Sequence, residues 1–537
     1  MNALYYIIKA DYHQRTRNYS FLIALATTLF IAYSFVPPPD ASYTTLTTGA
    51  YQGVSNSPWV GHVAAIMTTI VISLYGFLLV NSGIKKDIDT HMGLIIASAP
   101  VSNFRYLFSK LLSNFLVLFT IAGCTTAFTI GMFFYRNTGG YSFSISDFLL
   151  PFLFLPLPAL FMVSALAVVA EVFLSKKNIL QYLIFILLFG AATASVNNSP
   201  YNDTTIMMDV LGTKTVTNSI LNTLNTEFHQ NIKTIGVGYI STNKPSKSFE
   251  WQGLNWPAVF MLSRVLWIIA GILLVYLSSF FFNRFDVKER ISKKQKKKSA
   301  REQALKTNLT ADINNQWVPD TATKVTQRSL LPAIIPAYGI LPFIKIELLL
   351  LLRKGPKWFW LINGGIWLSL FFVPLTTAHS YILPVLWFLQ VNRLSEITAK
   401  EKTHGLHYFT YASYKPLERM LPSQILAALL LMVTLALPVL MRYVLIADSG
   451  AIAYILSGAV FIVLLAVCSG IISAGNKFFE IVFFLLTYAL LKQVPGSDYL
   501  GTVTHSQPVV YITIILLLTA FLGIAGFAAR NYQSRHL

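Results

Sequence analysis

The chain has 537 residues, of which 55% are hydrophobic and only 12% charged. A soluble protein carries charge on about a quarter of its residues, so a soluble globular domain is excluded, and two cysteines are too few for a disulfide scaffold. The formal charge of +19 sits in short loops and one linker, which is the positive-inside pattern of a membrane protein and not a nucleic-acid surface.

Roughly twenty apolar residues cross a bilayer, and the sequence offers about 12 such runs. They lack the alternation of barrel strands, so the spans are expected to be helices. The predicted fold is an all-α polytopic membrane protein, with both termini cytosolic.

Residues 1–17 are expected to form an amphipathic helix along the membrane surface, with Leu4, Ile8 and Tyr12 on one side. They show no basic start and no cleavage site, so they do not read as a signal peptide. Spans are predicted at 20–36, 60–81, 106–134, 147–173, 179–196 and 257–282. A charged loop, Lys85–Lys110, joins the second span to the third, and Ser175-Lys176-Lys177-Asn178 forms a tight turn between the fourth and fifth. Residues 197–255 form a polar external loop in which Val216, Ile220, Leu224, Phe228 and Ile232 repeat every four positions, as in a helix with one apolar face.

Residues 284–336 are a basic linker. From Arg284 to Lys306 there are ten Lys/Arg against three acids, a determinant of cytosolic placement that also attracts anionic membrane lipids. The pattern then restarts. A second surface segment at 341–355 precedes spans at 358–376, 380–394, 421–446, 451–472, 478–492 and 508–529.

The restart is a repeat. Ile8-Lys9-Ala10-Asp11 and Arg17 recur 336 residues on as Ile344-Lys345-Ile346-Glu347 and Arg353. Thr90-His91 recurs after 313 residues as Thr403-His404, Ser175 and Phe185 after 298 as Ser473 and Phe483, and Pro257 after 251 as Pro508. The shift shrinks across each external loop, while the cytosolic loops match without large insertions. Length has been free outside and constrained inside, which places a demanding partner on the cytosolic face. The chain therefore divides into a first six-helix half at 1–283, the linker at 284–336, and a second six-helix half at 337–537, each half preceded by its amphipathic helix.

Within the first charged loop stands Ala97-Ser98-Ala99-Pro100-Val101-Ser102, followed by Tyr106-Leu107 and Lys110. With an amphipathic "elbow" helix and six spans per half, this resembles the type-2 (ABC-2, exporter-like) family of ABC transporter permeases. The second half carries Tyr411-Ala412-Ser413-Tyr414 in place of the Pro-Val-Ser core and matches by position. The resemblance implies a permease subunit of an ATP-binding cassette transporter in the bacterial cytoplasmic membrane. It would act as an exporter by alternating access, driven by two copies of a separate cytosolic ATPase docked on the loops between spans 2–3 and 8–9. The coupling role then falls on Lys86, Asp87, Asp89, Thr90 and His91, and on Lys400, Glu401, Thr403 and His404. Secondary contacts fall on Ser175, Lys176, Lys177 and Asn178, and on Asn476 and Lys477.

No G-x-x-x-x-G-K-[ST] phosphate loop is present, so ATP and Mg²⁺ belong to the partner and no catalytic residue is expected on this chain. No metal is expected either, because His91, His404 and His407 lack acids or cysteines at ligand spacing. Glu171, Glu480 and Lys492 are read as snorkelling at span ends, and Asn363, Gln390 and Asn392 as interhelical hydrogen bonds. Two other readings share this topology. One is a major-facilitator-like secondary transporter, whose Gly-Arg-rich loop the sequence lacks. The other is a non-transporting membrane anchor for an ATPase.

Overall fold

The computed structural model describes residues 2–38, 41, 43–47, 51–90, 92–136, 140–174, 178–229, 232, 235–241, 247–282, 339–355, 357–412, 415–491, 495–502 and 508–535. His91, Ser175, Lys176, Lys177, Lys492 and the linker 284–336 lie outside them.

The first part of the chain begins with α1 (Asn2–Thr16), α2 (Tyr19–Ala32), α3 (Ser57–Val80), α4 (Gly83–Asp89) and α5 (Met92–Ser98). It continues through α6 (Asn103–Arg136), α7 (Ser146–Phe154), α8 (Pro156–Leu174), α9 (Asn178–Asn198), α10 (Asp203–Met208), α11 (Thr213–Phe228) and α12 (Ala258–Phe281). After residue 339 come α13 (Leu341–Arg353) and α14 (Lys357–Phe372). A helical turn at Leu375–Thr377 and a π turn at Ala378–Ile382 then lead into α15 (Leu383–Phe388) and α16 (Val391–Leu394). The short helices α17 (Lys400–Thr403) and α18 (His407–Tyr411) precede α19 (Pro416–Ile446), α20 (Ser449–Ser473), α21 (Lys477–Leu491) and α22 (Pro508–Arg535).

Among the described residues, eight helical stretches are long and apolar enough to cross a membrane, and the chain is an all-α membrane-spanning protein with little sheet. The other four predicted spans are shorter or interrupted. Helix α2 has 14 residues, α14 has 16 and α21 has 15. The apolar run at 380–394 is divided by the π turn and by a non-helical step at Leu389-Gln390. The fourth predicted span breaks at Leu155, ahead of Pro156, because proline in mid-helix clashes with the preceding turn.

The neighbours follow one scheme in both parts of the chain. Helix α6 packs on α1, α2 and α3, and α19 packs on α13, α14 and α15. Helix α8 packs on α3, α9 and α12, and α20 packs on α16, α21 and α22. The scheme breaks at the seam between the parts, where α21 also packs against α2 and α3. One apolar core, including Tyr75, Phe77, Phe185, Phe388, Phe483 and Phe484, fills this seam from both sides. Phe77 and Phe185 stack with ring centroids 4.1 Å apart.

At the end of α3 that begins with Ser57, the described parts of 197–255 build a small subdomain together with strands from 43–53. Strand β1 (Tyr43–Thr47) pairs antiparallel with β3 (Gly236–Ser241), and β2 (Tyr51–Gly53) pairs in parallel with β4 (Lys247–Phe249). Val216, Ile220 and Leu224 of α11 are fully buried against Leu46, Tyr51, Trp59, Phe249 and Trp251. The four-residue apolar repeat therefore faces a protein core. Its last member, Ile232, lies beyond the end of α11 at Phe228.

Candidate functional site

The other end of the bundle gathers α1, α4, α13, α17 and the C-terminal turn of α22 around buried charges. Helix α4 starts at Gly83, after Ser82, whose φ of 98° is left-handed. The first backbone N–H groups of a helix have no partner inside it. Here Glu171, near the end of α8, supplies one. Its Oε1 accepts from the amides of Ser82 (2.7 Å) and Gly83 (2.9 Å), and its Oε2 from those of Ile84 (2.6 Å) and Lys85 (3.2 Å). A carboxylate at this position also meets the positive end of the helix dipole. Glu171 is 3% exposed, so it is a buried anchor and not a snorkelling side chain. Gly83 lets the guanidinium of Arg15 lie close against the start of α4, where a Cβ would displace it. That guanidinium donates to Val80 O at the end of α3 (3.0 Å).

Asp87, expected to contact a partner, points inward. Its Oδ2 accepts from Tyr106 Oη at 2.7 Å and pairs with Lys110 Nζ at 2.8 Å, and Lys110 pairs with Asp11 of α1 at 2.6 Å. Lys86, Asp89 and Thr90 are exposed, as are Met92 and Ile95 of α5.

The second segment uses different chemistry for the same attachment. Lys400 pairs with Glu347 of α13. Glu347 stands 336 positions after Asp11 and Lys400 313 after Asp87; Lys110 bridges the two acids of the first segment, whereas the second segment pairs directly. Glu401 is 3% exposed; it pairs with Arg530 of α22 and accepts from Gln424 Nε2 of α19 at 2.6 Å. Arg393 closes the end of α13 by donating to Leu351 O (3.0 Å) and Lys354 O (2.8 Å). Burial draws the Lys354 ammonium below the ordinary lysine range, opposed by Glu396 at 2.6 Å. Thr403 and His404 are exposed, with Leu406, Tyr408 and Phe409 beside them.

Of the secondary positions, the side chain of Asn178 lies outside the described residues and Asn476 is half-buried. Lys477 turns into the seam, where its ammonium donates to Leu78 O of α3 (3.1 Å) and Tyr182 Oη of α9 (2.8 Å) and pairs with Glu480 (3.2 Å). Tyr182 donates to Glu480 at 2.9 Å. Glu480 is fully buried, so snorkelling does not describe it either. The expected interhelical bond does form between Gln390 Nε2 and Asn363 Oδ1 (2.6 Å).

Sequence reasoning thus named both segments but did not separate outward from inward residues; it read Glu171 as snorkelling and missed Tyr182 and Arg530. The available signal was an ionisable residue inside an apolar run, costly in lipid unless partnered. Both cysteines are free, and among the described residues no cluster of metal-ligating side chains occurs. Comparisons of the chain with family models, with curated proteins and with solved structures found no match.

Proposed function

We propose that the chain is the permease subunit of an ATP-binding cassette exporter, built from two six-span halves whose amphipathic helices α1 and α13 lie along the cytosolic membrane surface. The observation that carries this reading is the paired segment at one end of the bundle. Each stands between the second and third span of its half, turns acidic and basic groups inward to lock onto α1 or α13, and leaves a short polar and apolar ridge facing out. A ridge held rigidly at its base suits a cleft on a soluble partner, because its geometry is fixed before binding.

In this reading two ATPase subunits close on ATP and press on the ridges. The halves then separate along the seam, and the Lys477–Glu480–Tyr182 contacts give way. Alternating access of this kind requires the partner to bind the two states unequally. The aromatic lining of the seam suits an amphipathic cargo.

The test is gentle purification of the intact chain from its native membrane. A stoichiometric partner with a phosphate-loop ATPase fold is expected, and the exposed-residue variant D89A/T90A/H404A should lose it while still eluting as a monodisperse species. Recovery of the folded chain without such a partner would refute the reading.

A further inference from the structure

The two outward segments hang from different spans, and neither tether has a counterpart in the other half. Glu171 of α8 corresponds, 298 positions on, to Ser469 of α20. That serine donates to Ala466 O in its own helix at 3.0 Å. Arg530 of α22 corresponds, 251 positions back, to Ser279 of α12, which donates to Tyr276 O of its own helix at 2.6 Å. At the position matching Glu401, the first half has Ile88, half-buried beside Tyr106, Phe161 and Phe282.

Charge-assisted hydrogen bonds are short, directional and stronger than neutral ones. They hold under both pushing and pulling, whereas apolar surfaces can slide. The first segment is held to α8 by four backbone amides on one carboxylate, beside the Asp87–Lys110 pair that joins it to α6. The second is held to α22 by a buried ion pair, beside the Lys400–Glu347 pair to α13, the bond from Gln424 of α19 and a neutral bond from Thr398 to Val467 O of α20 at 3.1 Å.

Each tethered span meets one neighbour in close contact at a glycine. A Cβ on Gly271 of α12 would lie 3.5 Å from Ala165 Cβ of α8, and one on Gly526 of α22 would lie 3.5 Å from Cys468 Cα of α20. Ala165 and Cys468 are buried in these seams.

Resting on the permease reading, we propose that the two ATPase strokes are delivered to non-equivalent spans. The first segment moves α8 through Glu171 and opens the α8–α12 seam; the second moves α22 through Glu401 and Arg530 and opens the α20–α22 seam. Glu171 and Glu401 are positioning residues that fix which span follows which ridge.

The natural thiols supply the probe. The full chain is purified with its ATPase subunits and labelled with a maleimide, with and without ATP and vanadate, and each site is read by peptide mass spectrometry. In a C124S background, Cys468 reports on the α20–α22 seam. In C124S/C468S, the thiol introduced by A165C reports on the α8–α12 seam. Nucleotide trapping is expected to raise labelling severalfold at both sites. E401Q should abolish the rise at Cys468 and preserve it at the A165C thiol, and E171Q should do the reverse. The response kept at the untouched seam shows that each variant is folded and coupled, and R530K and E171D provide a second substitution on each tether. If each variant silences both seams, or neither, divided delivery is wrong. If no ATPase co-purifies, or trapping changes neither thiol in the unsubstituted chain, the permease reading falls and this proposal with it.

Discussion

Glu171 shows how one side chain can set the position of a whole segment. Replacing it with alanine leaves four amides at a partly buried helix start without their acceptor. Because a hydrogen bond to a charged group contributes about 1.5–3 kcal/mol and such losses are not additive, E171A should cost about 3–5 kcal/mol. E171Q keeps the shape and loses the charge, so it should cost about half as much. Melting temperatures in detergent should fall in the order wild type, E171Q, E171A. A second residue-scale case is Gly61, where α3 passes α7 so closely that a Cβ would collide with Asp147 O. Backbone cannot rotate out of the way as a side chain can, so G61A should destabilise by about 1–3 kcal/mol, measured as reduced monodisperse yield and a lowered melting temperature. Neither role is legible from the sequence. A lone glutamate near a span end and a glycine in an apolar run have many uses, and only the neighbouring backbone selects one.

At the scale of elements, α11 separates what periodicity can say from what it cannot. The four-residue repeat located the helix. It could not say whether the apolar face meets lipid or protein, since both are apolar environments. The structure places Val216, Ile220 and Leu224 in a core with Trp59 and Trp251. I220A should therefore cost about 2–5 kcal/mol, as large-to-small changes in a packed core do. In hydrogen exchange, the loss of protection should be confined to α11 and strands β1 to β4; equal loss in α19 or α20 would contradict this placement. The π turn at Ala378–Ile382 is a second case, because an extra residue in a helical turn leaves no periodic trace. It carries His379, whose Nε2–H donates to Leu500 O at 2.9 Å, leaving Nδ1 to accept from Tyr443 Oη at 2.9 Å. H379F removes both bonds and should lower the melting temperature.

At the scale of the molecule, the seam between the two parts of the chain is held by packing and by one polar knot. Tyr182 and Glu480 meet across the seam and are separated by 298 positions, the same shift as the matching aromatics Phe185 and Phe483. Lys477 also reaches over to Leu78 O. K477M leaves the buried Glu480 without its cation. Breaking a fully buried pair costs about 3–5 kcal/mol, and because the Lys477 side chain keeps 18% of its exposure, a loss of about 2–3 kcal/mol is expected. K477M/E480Q should recover most of it, since no uncompensated charge remains. A double variant as unstable as the sum of its singles would show that the knot is not one coupled unit.

The sequence by itself determined the membrane class and located the two charged segments, because hydropathy and motif spacing are local properties that survive in any conformation. Tertiary structure alone decided that Asp87, Lys400 and Glu401 turn inward while Asp89, Thr90, Thr403 and His404 face out. It also decided that several of the twelve predicted spans are short or interrupted helices, and that Val216, Ile220 and Leu224 pack into a core shared with Leu46, Trp59 and Phe260. In each case the deciding quantity is which distant group lies within hydrogen-bond or van der Waals reach. A charge stays buried only where such a partner exists, and the partners here stand far away along the chain: Arg530 is 129 residues from Glu401, and Tyr182 is 298 from Glu480.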